Sequence, residues 1–499
     1  MGIIARQTIK GSIANYIGIV IGFATTFFVL TDCLSPSEIG LTRILVDAAM
    51  LFSSLAMLGT SSSIIRFYPY FKDERHRDHG FFGWACLLPM VGYLIFVLLF
   101  LLFKQGIINL YEERSPLFVR YFYYLLPLTF FALYTSVFEA GANVLMRIAI
   151  PKFVREVGIR LCNLVTYLLY GHGIISFDWF VLLFCSSYAL AAIVNFIYLV
   201  SLCKISFRLD FKFLTPQLIK QIFSYTLLVT VVALTSNVQL FNSLFLGAQG
   251  GLALAGIYTI AFYIANVVSV PARSLMAISG PVISQSIKEN NLKDLSQLVK
   301  NVSLHQLIAG SFIYFFILIN LDALYSVIPH GAEYASGIGV VLILGINNIF
   351  GQTCSPINSV LSYSRLYAYS LPLSLLMSAT AIILNIKLIP ILGINGAATA
   401  SLGATVIYYT SMLLIVGRKL HIQPFSWHHA RLLAIIVLLF GLNVLWSWFI
   451  TPTIGNVMWD AVIKTILLGA MALMMTYHTN VSKDLNRLID KYIPLFCKN

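Results

Sequence analysis

Arg43 and Asp47 stand four residues apart inside a long apolar run, a spacing that puts both on one face of a helix. Two arrangements fit them. They form a pair that satisfies itself at the membrane interface, or Arg43 faces a water-filled cavity and Asp47 sets its orientation. A guanidinium so held grips phosphate through two parallel hydrogen bonds. Glu139 is a lone carboxylate in a later apolar run, and at that depth it costs several kcal/mol unless paired or protonated. Arg160 is its first candidate partner and Arg155 the next, with Glu156–Arg160 as a competing local bridge. Arg273 follows Pro271 and serves either as an anchor at the cytoplasmic interface or as a second cavity cation. Asp460 and Lys464 repeat the four-residue spacing and read as an interfacial pair. Arg66 reads as an anchor whose head snorkels to water. Asn15, Asn237, Gln239 and Asn266 supply amides that line a polar cavity or join helices.

Other chemistries find no residues to carry them. No Gly-Lys-Ser/Thr loop cradles a nucleotide, and no G-x-S-x-G turn stands in a plausible context. The seven cysteines, Cys33, Cys86, Cys162, Cys185, Cys203, Cys354 and Cys497, show neither metal-ligand spacing nor a disulfide framework, and read as packing residues. The histidines lie at segment ends or in loops, without zinc spacing. The expectation is a protein that is not an enzyme and has no metal and no cofactor.

The elements that position these residues are membrane helices. Hydrophobic residues make up 59% of the chain and charged residues 10%, too little polar surface for a soluble protein of this length. About fourteen segments reach the roughly 20 residues that span hydrocarbon. They run from Ile13–Leu30 and Ile44–Ile65, through Phe122–Leu145, Ile159–Ile175 and Ile222–Leu246, to Leu432–Ile450 and Val457–Tyr477. All-helical spans follow, since strand alternation is absent. Basic residues gather in alternate connections: Lys72, Arg75 and Arg77; Lys204, Arg208, Lys212 and Lys220; Lys483, Arg487, Lys491 and Lys498. The intervening loops hold Lys104, Arg114 and Lys387. By the positive-inside rule both termini are cytoplasmic and the first helix is uncleaved. The net charge of +13 is then mostly a topology signal directed at anionic lipid, with no nucleic acid as partner.

Ile9-Lys10 and Ile219-Lys220 both open a helix pair, and the second helix of each pair begins near a glycine, Gly40 or Gly256. This echo predicts two parallel bundles of about six helices. Their bounds are 1–205 and 206–418, with 419–499 as two more helices and a cytoplasmic tail.

Four stretches carry a family resemblance: Ser37-Glu38-Ile39-Gly40; Leu58–Tyr70 (LGTSSSIIRFYPY); Ala255–Gln285, through VPARSL to SGPVISQ; and Leu392–Ala404 (LGINGAATASLGA). The chain resembles the Wzx-type oligosaccharide-lipid flippases, the polysaccharide-transporter branch of the superfamily that includes multidrug exporters of the MATE type. The resemblance implies a V-shaped transporter with a central cavity. Its implied substrate is a polyprenyl-diphosphate-linked oligosaccharide moved to the outer leaflet of the bacterial inner membrane. It also implies a glycan polymerase and chain-length machinery as partners. Related flippases place arginines of the second and eighth helices in a cationic cavity, and here Arg43 and Arg273 fall on those helices. The alternatives are a cation-coupled multidrug exporter, which needs an acidic cavity, and a membrane glycan polymerase or ligase, which needs a larger outward loop.

Overall fold

The computed structural model describes residues 3–73, 77–202, 215–236 and 238–492. Asn237, Arg75, Lys204, Arg208, Lys212, Lys498, Cys203 and Cys497 lie outside the described residues. Every regular element among those described is a helix, because hydrocarbon offers no partner for an open strand edge.

Twelve of the described helices are long and apolar enough to cross a membrane. They include α1 (Ile13–Cys33), α2 (Pro36–Phe71), α3 (Asp78–Tyr111) and α4 (Phe122–Val144). A charged helix, α5, runs over 149–171 and is followed by α6 (Phe177–Leu202). Next come α7 (Pro216–Ser236) and α8 (Val238–Gln249), then the long α9 (Leu252–Lys288), α10 (Leu292–Ile319) and α11 (Gly331–Tyr363). The chain continues through α12 (Tyr367–Leu392), α13 (Ile394–Leu420), α14 (Trp427–Phe449) and α15 (Val457–His478). It closes with α16 (Lys483–Tyr492). Two of the expected segments are not among the twelve. The first half of α5 carries Lys152, Arg155 and Glu156, and the remainder, Ile159–Gly171, is 13 residues long and includes Arg160. The other segment is described in two pieces, α7 and α8, on either side of Asn237.

The described chain packs as two compact units. Met1–Thr259 with Ile389–Ile394 forms one, and Ile260–Leu388 with Asn395–Asn499 the other. This division follows contacts, whereas the expected boundary at 205/206 follows topological repetition.

In the first unit, α2 starts at a capping box: Ser35 and Glu38 bond each other's backbone N–H, and Pro36 occupies the first turn. That satisfies two of the orphan donors of a helix start. The helix breaks at Leu58 and Gly59, with φ of 48° and 66°, so Pro36–Ala56 and Thr60–Phe71 are separate rods. Helices α1 and α5 meet pairwise at Gly18 with Glu156, Gly22 with Arg160, and Cys33 with Gly171. A constant offset of this kind means parallel helices in register, and glycine lets them approach closely. Gly40 and Gly256, the two glycines of the sequence echo, lie backbone against backbone: a Cβ on either would strike the other helix's main chain. In the second unit α10 packs on α11 and α14. Phe315, Leu432 and Leu439 are fully buried there.

Candidate functional site

Asp47 lies on the face of α2 that carries the buried Ile44 and Leu51. Arg43 Nε donates to Asp47 Oδ2 at 2.6 Å, and Ser243 Oγ of α8 donates to the same oxygen at 2.6 Å. The Asp47 side chain is 4% exposed and that of Arg43 17%. A buried ion pair is tolerated only when its remaining lone pairs also find donors, and Ser243 is one such donor. The carboxylate in turn fixes the plane of the guanidinium.

Helix α8 is held in register with that carboxylate by its own C-terminal end. The Leu244 carbonyl accepts from Tyr111 Oη at 2.8 Å, and the Gly247 carbonyl from Ser115 Oγ at 2.6 Å. The Gln249 carbonyl accepts from Arg114 Nη1 at 2.5 Å. The Gly247 and Gln249 carbonyls are among the last four of α8, which lack an intrahelical donor, and a cation there suits the macrodipole. Sequence reasoning missed Ser243: it is 196 positions from Asp47 and is an unremarked serine in an apolar run.

Glu139 pairs with Arg155 rather than with Arg160, since Arg155 Nη1 reaches its two oxygens at 2.9 and 2.8 Å. Arg155 also meets Glu156 at 3.2 Å, and Glu156 meets Arg160 at 3.4 Å. The result is an alternating chain of four charges. A π-helical turn at Val154–Gly158 rotates Arg155 toward Glu139, a change of pitch that apolar periodicity does not reveal. Arg160 instead crosses to α1, where it donates to the Gly18 carbonyl over the bare face of Gly22.

Arg273 is exposed on α9. Asn237 falls outside the described residues, and Gln239 is exposed while Asn15 and Asn266 are half-buried. Arg66 is exposed and lies 4.2 Å over the ring of Tyr225. Asp460 and Lys464, expected at the interface, are both buried and 3.2 Å apart. Trp446 Nε1 donates to Asp460 at 2.8 Å and Thr451 Oγ1 at 3.1 Å, so the turn after α14 covers the pair. At the start of α4, Arg120 sits 2.9 Å from Asp178, which also accepts from Tyr121 Oη. Burial first, and then that carboxylate, push the Tyr121 hydroxyl above its ordinary pKa. Between α14 and α15 an apolar groove of about 490 Å³ is lined by Leu442, Trp446, Phe449, Leu467 and Met471, among others. Among the described residues no cluster of His, Cys, Asp and Glu could hold a metal ion.

A family profile described as "Polysaccharide biosynthesis protein" matches residues 4–287. No curated protein matches the chain. Among solved structures, the chain is similar to a lipid II flippase MurJ in an inward closed conformation, with TM-score 0.68 and 14% identity over 95% of this chain and 100% of that one. It is similar also to an inward-facing multidrug resistance MATE family transporter of the MOP superfamily, with TM-score 0.60 and 16% identity, covering 83% and 98% of the two chains. At these identities the likeness is one of fold alone: an all-helical architecture with many membrane-length helices.

Proposed function

The chain belongs to the polysaccharide biosynthesis protein family, and on that premise we propose that it flips a polyprenyl-diphosphate-linked oligosaccharide from the inner to the outer leaflet of a bacterial cytoplasmic membrane. Alternating access of two helical bundles, each about six helices, is the mechanism we infer. The observation that carries the reading is the pre-oriented Arg43, held by Asp47 at 2.6 Å within a membrane-length helix. A structural protein has no use for so costly a group, whereas a diphosphate needs one: two anionic charges cannot cross hydrocarbon bare. Arg43 is the anion contact, Asp47 its orienting partner, and the exposed Arg273 a second candidate cation. The apolar groove along α14 and α15 is of a kind that accepts a polyprenyl chain. Both termini are cytoplasmic on this reading, and glycan polymerase and chain-length machinery are natural partners downstream.

The carboxylates argue against cation-coupled drug export. Asp47, Glu139 and Glu156 are each engaged by an arginine, so a cationic drug would have to displace a bound guanidinium.

The test replaces both members of the pair. Arg43→Ala alone strands a buried carboxylate, at a cost of about 3–5 kcal/mol, and confuses folding with transport. The double variant Arg43→Ala/Asp47→Ala should accumulate in the membrane at normal level yet leave lipid-linked glycan on the cytoplasmic leaflet. Normal surface glycan in that variant refutes the role of Arg43. Unchanged lipid-linked glycans after gene deletion, with new sensitivity to cationic drugs, refutes the flippase reading itself.

A further inference from the structure

At the end of α15 the chain turns through Asn480, at φ 49°, into the amphipathic helix α16. The two helices border an open polar hollow of about 400 Å³ whose lining includes His478, Lys483 and Arg487. We propose that this hollow binds the phosphodiester headgroup of an anionic phospholipid of the inner leaflet. The proposal rests on the membrane orientation of the reading above but not on what is transported.

The hollow is built rather than incidental. Asn486 Nδ2 donates to the Tyr477 carbonyl at 3.1 Å and to Asn480 Oδ1 at 2.8 Å, pinning the turn. His305 of α10 reaches Ser482 at 3.2 Å, and Leu485 packs on the apolar core of the second unit.

Charge and position select the ligand. Lys483 and Arg487 are four apart on α16, one helical turn, and both are exposed beside an exposed His478. Of the acidic groups, Asp490 accepts from Tyr477 Oη at 2.7 Å, while Asp484 lies 3.7 Å from both Arg487 and His305. The lining of the hollow therefore carries one more cation than anion, even with His478 neutral. The last membrane-length helix ends at His478, which sets the hollow at headgroup depth. There the available anion is phosphate on lipid, drawn by nearby basic residues.

Purified full-length protein, delipidated in detergent, is titrated with phosphatidylglycerol, with phosphatidylcholine and with inorganic phosphate, and binding is read by native mass spectrometry. Phosphatidylglycerol should bind in preference to phosphatidylcholine. Lys483→Gln/Arg487→Gln should weaken the former by roughly 30-fold and leave the latter unchanged. Lys293→Gln, an exposed basic residue elsewhere, should change neither. The charge-keeping variant Lys483→Arg/Arg487→Lys should retain the preference, which separates lost charge from lost folding. Undiminished phosphatidylglycerol binding in the double glutamine variant overturns the site. Inorganic phosphate binding as well as the lipid would make it a free-anion site and overturn the lipid assignment.

Discussion

Arg155 illustrates how a single side chain organises several charges within a helical bundle. It bridges Glu139 and Glu156, whereas Arg160, among the described acidic groups, meets Glu156 and also donates to the Gly18 carbonyl. Removing Arg155 takes the cation from Glu139 and leaves Glu156 with Arg160, whereas removing Arg160 leaves both carboxylates on Arg155. Half-exposure of Arg155, at 45%, keeps the effect modest. Arg155→Met should therefore destabilise by about 1–2 kcal/mol and Arg160→Met by less, as read by thermal melting in detergent. A larger shift for Arg160→Met would show that the bond to α1, rather than the charge chain, holds these helices.

At the level of elements, close approach and buried polar networks decide which helices pair. Gly40 and Gly256 allow α2 and α9 to touch main chain to main chain. Gly256→Val would force that seam apart, at about 1–3 kcal/mol or more, and carry Ser243 away from Asp47. Lower protein level is the expected result, checked by quantitative blotting, while normal level and normal melting would mean the seam is loose. The α14–α15 pair is joined differently, through Asp460, Lys464, Trp446 and Thr451. Lys464→Met should cost about 3–5 kcal/mol, because it leaves a buried carboxylate without its cation. Asp460→Leu/Lys464→Met should recover most of the loss by removing both charges. Failure of the double variant to recover would place the stabilising role on the Trp446 and Thr451 bonds.

For the whole molecule, the proposed cargo ties transport to the membrane potential. Moving two negative charges outward from a negative interior gains about 4–5 kcal/mol per 100 mV, at about 2.3 per charge. This biases the distribution on the order of a thousandfold. Collapsing the potential with an ionophore in inverted vesicles should slow flipping of a lipid-linked glycan sharply at constant pH. A rate indifferent to potential but sensitive to a sodium or proton gradient would replace the electrical drive by ion coupling.

Membrane helices, their approximate number and the family were legible in the sequence, because apolar length and basic-residue spacing are local properties that water and lipid read directly. So was the Arg43–Asp47 pair, whose members are four residues apart on one helix. Which distant partner completes a charge was not legible. Ser243 reaches Asp47 from another helix, a π-turn hands Glu139 to Arg155, and the chain after α14 folds over Asp460. Gly40 and Gly256 looked like echoes of each other and turned out to be neighbours. Such pairings depend on helix register and crossing, which no local pattern encodes, so the tertiary structure alone decided them.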